Sequence, residues 1–139
     1  MARNRPLAAA ISISREIDEI FERFFGSEPA GAIWEPGIEL FTDDAAVYIM
    51  VEIPGVTADH LGLTVSSRWV HIRGVKPVPD QVRRGVSFYE AEIPYGPFEK
   101  RVSLPYPVDP DTIQVELKHG VLSMKMERAG TSPRTVKVE

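Results

Sequence analysis

The stretch Val115-Glu116-Leu117-Lys118-His119-Gly120-Val121-Leu122 constrains the fold of this chain more than any other. Before the His-Gly pair, Ile113, Val115 and Leu117 alternate with Gln114, Glu116 and Lys118. After it, Leu122, Met124 and Met126 alternate with Ser123, Lys125 and Glu127. Successive side chains of a strand point to opposite faces, so period-two alternation on both sides of a two-residue break predicts a β-hairpin. Gly takes positive φ freely and His tolerates it better than most residues, which suits a tight turn. Each strand is then apolar on one face and polar on the other, the pattern of an antiparallel sheet with one wet side.

The same pattern recurs upstream. Ile38 and Leu40 alternate with Glu39 and Phe41, and Val47, Ile49, Val51 and Ile53 with Tyr48, Met50 and Glu52. Leu61, Leu63 and Val65, then Trp69 to Arg73, Phe88 to Ile93 and Phe98 to Leu104, read as further strands. Asp43-Asp44, Pro54-Gly55, Ser66-Ser67-Arg68 and Pro94-Tyr95-Gly96-Pro97 punctuate them as turns. About eight short strands at this spacing predict an all-β, immunoglobulin-like antiparallel β-sandwich over residues 34–127. Residues 1–33 form an N-terminal arm. Within it Ile13, Ile17, Ile20, Phe21 and Phe24 recur at helical spacing, with Phe25 beside them, and charged residues fill the other face. Ser12 or Ser14 can cap the start of this short amphipathic helix and Gly26 its end. Residues 128–139 form an extended, polar C-terminal tail in which Val136 and Val138 would share one side of a strand.

Composition narrows the function classes. A hydrophobic content of 43% supports one core, and a net charge of −4 argues against a nucleic-acid surface. With no cysteine, disulfides and thiolate metal sites are excluded. Leu7 to Ile13 is short and runs into Arg15-Glu16, so a cytoplasmic location is expected rather than export. No apolar run is long enough to span a membrane. His60, His71 and His119 have no metal-like spacing. Asp43-Asp44 and Asp109/Asp111 flank turns, where carboxylates bond backbone. No nucleophile elbow, phosphate loop or dinucleotide fingerprint occurs, so neither an enzyme nor a cofactor is expected. The features left over are apolar and terminal. The stripe Ile17, Ile20, Phe21 and Phe24, with Phe25 beside it, exceeds what the sandwich needs and is expected to meet another subunit or a partner, the alternative being that the helix folds back onto its own sandwich.

Several motifs resemble those of the small heat-shock protein (α-crystallin) family, in its bacterial and plant-like branch. Val115 to Leu122 is similar to the family's Ala-x-x-x-Asn-Gly-Val-Leu, with Val115 for Ala and His119 for Asn. Pro54-Gly55-Val56 resembles Pro-Gly-Val, and Phe98 to Leu104-Pro105 resembles Gly-x-Phe…Leu-Pro. Trp34-Glu35-Pro36 resembles the Trp-x-Pro that opens the domain. Glu92-Ile93 departs from the Glu-Arg of many bacterial members. The resemblance implies an α-crystallin domain and an ATP-independent chaperone (holdase) that binds partly unfolded clients as a dimer-based homo-oligomer. It implies neither nucleic acid nor a stable membrane partner. It makes Val136 and Val138 a tail anchor, implies a tail-accepting groove at Leu61, Leu63, Val65, Val102 and Leu104, and suggests dimer strand exchange through Val82, Arg83, Arg84, Gly85 and Val86. The long connection Gly74 to Ser87, with Pro77 and Pro79, matches that branch in length. Two other readings compete: a monomeric adaptor on the same sandwich, like the CS-domain co-chaperones, and an all-β enzyme.

Overall fold

In the computed structural model, which describes residues 33–130 and 138, each apolar alternation with a partner edge becomes a strand. These are β1 (Ile38–Thr42), β2 (Ala46–Glu52), β3 (Leu61–Val65), β4 (Trp69–Lys76), β5 (Gly96–Ser103), β6 (Gln114–Lys118) and β7 (Val121–Glu127). They form a four-stranded sheet in the order β1-β2-β7-β6 and a three-stranded sheet in the order β3-β4-β5, antiparallel throughout. The helix expected within residues 12–26 lies outside the described residues, as does Val136 of the tail; Val138 is fully exposed.

The hairpin forms as expected, with Lys118 opposite Val121 and both turn residues at positive φ, 53° at His119 and 77° at Gly120. That is the twist a two-residue hairpin requires. A Cβ at Gly120 would lie 2.9 Å from Pro54 Cα, so the turn also needs Gly for close approach. Ile53 donates its backbone N–H to the Gly120 carbonyl at 2.8 Å, locking the turn to the end of β2. Asp43 makes the β1–β2 turn as its residue type implies: Oδ1 accepts from the amides of Ala45 (2.9 Å) and Ala46 (2.8 Å).

The core lies between the sheets. Val47, Ile49, Val51, Leu122, Met124 and Met126 project from one, and Leu61, Leu63, Val70, Ile72, Phe98 and Val102 from the other. Among the described residues none of the buried side chains is polar or charged. Phe98 is fully buried and packs on Trp34, with ring centroids 5.0 Å apart. The Trp34 indole N–H donates to the Gly96 carbonyl at 3.1 Å.

One expected strand is missing. Phe88 to Ile93 has strand-like composition, yet residues 77–95 form a connection without a strand. A strand needs a partner to satisfy its backbone groups, and no described strand pairs with this segment. The Trp34 segment already bridges to Phe98 on the outer edge of β5.

Candidate functional site

The free edges of the sandwich follow from the position of Trp34. Its backbone bonds β5 through Pro97 and Glu99, and β1 begins only a few residues later. The β5 and β1 edges therefore lie on one side of the sandwich, and the edges of β3 and β6 share the other. The outer backbones of β1 and β6 have no strand beside them among the described residues. An unpaired edge is a row of unmet donors and acceptors that a further strand can satisfy.

The connection between β4 and β5 carries several of the more exposed apolar groups among the described residues. Val78, Val86, Phe88, Tyr89 and Ile93 are all exposed, Tyr89 by 97%. Val82, Arg83, Arg84, Gly85 and Val86 form turns rather than a strand: the amides of Val82 and Val86 bond back to Pro79 and Arg83, and Gly85 sits at φ 92°. The exposed rings and Ile93 begin where those turns end. The alternation that made Phe88 to Ile93 read as an internal strand was in fact the signal for this apolar surface.

The five residues expected to line a tail groove gather at the core rather than along an open groove. Leu61, Leu63 and Val102 are buried in the core, while Val65 and Leu104 are half-buried and pack against it. Moreover, β3 and β5 are opposite edges of their sheet, with β4 between them. On β6, Leu117 is likewise half-buried against the core and Val115 is exposed. Which edges face each other depends on the stacking of the two sheets, and strand alternation does not encode that.

The polar groups are engaged in structure. Asp43 Oδ2 also accepts from the Tyr48 hydroxyl at 2.8 Å. The amide of Ala45 foremost, then that hydroxyl and the Ala46 amide, hold the Asp43 carboxyl below its usual range, and the bond to Asp43 in turn raises the Tyr48 hydroxyl. Asp59 is lowered chiefly by the Thr57 hydroxyl that bonds it. Asp109 Oδ1 accepts from the Asp111 amide at 3.0 Å, capping the short turn Pro110–Thr112. His71 bonds Glu99 across the outward face of β4 and β5, and Lys100 bonds Glu35 at 3.1 Å. Among the described residues, His, Asp and Glu side chains form no cluster of three able to hold a metal ion. No helix there is long and apolar enough to cross a membrane.

Comparison with known proteins agrees with this architecture. Small heat shock protein C4 of Rickettsia felis is 28% identical over 81% of this chain and 73% of its own length. The solved structure of HSP18.5 from E. histolytica superposes with a TM-score of 0.62 at 30% identity, covering 76% of this chain and 98% of that one. A small heat-shock protein from Xylella fastidiosa gives 0.62 at 27% identity, covering 78% and 99%. The Hsp20/alpha crystallin family profile matches residues 39–139, from the first strand to the last residue. With two antiparallel sheets built from seven strands among the described residues and that match across most of its length, the chain belongs to the Hsp20/alpha crystallin family.

Proposed function

We propose that this protein is an ATP-independent holdase that binds partly unfolded proteins in the cytoplasm and works as a dimer-based homo-oligomer. The observation that carries the reading is the combination, among the described residues, of strand edges at β1 and β6 with no strand beside them and an apolar loop whose side chains stand exposed. Each offers contacts that another copy of the chain can take up. The loop of one protomer, through Val82–Val86 and the apolar residues up to Ile93, adds to the β1 edge of its partner. The tail, through Val136 and Val138, adds as a strand between β3 and β6 of a neighbouring dimer, where backbone bonds give affinity and alternate side-chain pockets give specificity. The β3/β6 site uses Val65, Val115 and Leu117 over the core residues Leu61 and Leu63. The Xylella fastidiosa relative is described as having a distinct high order structure, which fits such linkage.

Client binding is assigned to Ile17, Ile20, Phe21, Phe24 and Phe25 of the arm. Unfolding clients expose apolar surface and strand edges that otherwise drive aggregation. A segment that covers this surface competes with client–client contact and needs no nucleotide. Aromatic rings suit the task, presenting large area with few rotors to freeze. Replacing Phe21→Ala and Phe24→Ala tests the assignment: protection of a heat-unfolded client should fall while the sandwich keeps its circular dichroism. Undiminished protection would remove the arm from the mechanism.

A further inference from the structure

The two outward faces of the sandwich differ in chemistry. On the four-stranded sheet the exposed Phe41 and Met50 and the half-buried Tyr48 form an apolar strip, the two rings stacked at 5.1 Å. The strip borders a concavity of about 370 Å³ closed on its far side by Gln114, Glu116 and Lys125. Strand register sets Glu39, Met50, Ser123 and Glu116 in one row, and Phe41, Tyr48, Lys125 and Gln114 in the next. Glu39, Glu52, Glu116 and Glu127 share this face, with Asp43 at its corner, against the cations Lys118 and Lys125. The outward face of the other sheet is basic instead, with His71, Arg73 and Arg101 around Glu99. An acidic rim around an aromatic and aliphatic strip selects a partner that is both basic and apolar.

We infer that this face is the docking site for residues 1–15 of the chain. That segment holds Arg3, Arg5 and Arg15 and no Asp or Glu, with Leu7, Ile11 and Ile13 between them. It is basic in a chain whose net charge is −4. Guanidinium groups pair with carboxylates in a two-bond fork, and the aliphatic residues supply the apolar half of the match. Reach is ample, because Trp34 is held on the β1 side of the sandwich and residues 16–33 span up to ~60 Å when extended. Tethering raises the local concentration of the segment to the order of millimolar, so a weak site is filled. The docking stands whether or not the protein is a holdase.

The absence of cysteine allows a direct test in the full chain. Met50→Cys is paired with Ile11→Cys, and disulfide formation under mild oxidation is followed on non-reducing gels. Thr64→Cys with Ile11→Cys, placed on the exposed outward face of β3, is the control. Glu116→Cys with Ile11→Cys is a second reporter at the concavity. Both reporters at this face should crosslink roughly tenfold faster than the control, as expected of a tethered and docked segment. Arg3→Glu, Arg5→Glu and Arg15→Glu together, or salt near 1 M, should bring them down to the control rate. Gel mobility shows whether the docked segment comes from the same chain or a neighbouring copy. Equal rates at the face and the control, or rates indifferent to the Arg substitutions, would overturn the inference. So would faster crosslinking of Met50→Cys to Arg101→Cys, which would mean that a second copy's basic face covers the strip.

Discussion

Replacing Phe88 and Ile93 together with Ser tests whether the loop between β4 and β5 is an interface. Within the chain these side chains are 57% and 58% exposed, so about half of each is left for a partner to cover. Full burial of such a side chain is worth about 1.5–3 kcal/mol, and the remaining half about 0.8–1.5 kcal/mol. A two-fold dimer uses both loops, so the double substitution removes about 3–6 kcal/mol. At 1.4 kcal/mol per tenfold, dimerisation should weaken by roughly 10²–10⁴-fold. Sedimentation velocity over a dilution series reads this directly: the variant should reach monomer at concentrations where the native chain stays assembled. Its circular dichroism should not change, because neither side chain belongs to the core. Native mass at every dilution would refute the reasoning. Loss of the sandwich would refute it too, since the loop would then be packing on its own domain.

Other expectations follow from single contacts. A Cβ on Gly74 would lie 2.2 Å from Phe98 Cζ and 2.7 Å from the His60 carbonyl oxygen. Phe98 is fully buried, so Gly74→Ala should cost about 2–3 kcal/mol and lower Tm by roughly 10–20 °C; an unchanged Tm would contradict that packing. Asp43 titrates below its ordinary value of 3.8 because the Ala45 amide, the Tyr48 hydroxyl and the Ala46 amide bond its ionised form. Its contribution is therefore present above the unfolded value and fades as pH falls through the lower folded value. The stability gap between native chain and Asp43→Asn should shrink in acid, whereas a gap constant with pH would contradict this. Val136→Ala with Val138→Ala removes the branched methyls of the tail, about 3 kcal/mol per docked tail and roughly 100-fold in linkage. Light scattering should find smaller particles with dimers intact; an unaltered mass would exclude the tail as linker.

Period-two alternation made the hairpin and the core strands legible in the sequence, because the residues that alternate are the ones that pair and bury. His119-Gly120 and Asp43 were readable for the same local reason, the turn being set by residues within it. Phe88 to Ile93 has equally good strand character, but a strand is made by its partner, and no described strand pairs with it. Likewise Leu61, Leu63 and Val102 are apolar at strand spacing, which identifies a strand without saying whether its side chains line a groove or fill the core. The apolar strip at Phe41, Tyr48 and Met50 escaped notice because its residues come from two strands and gather only when β1 pairs with β2.

The central claim is tested most directly by heating an aggregation-prone client with increasing amounts of the native protein, without nucleotide, and following turbidity. The account predicts suppression that saturates near a fixed ratio of protein to client and is indifferent to added ATP. Client aggregation at the same rate with and without the protein, across all ratios, would contradict it.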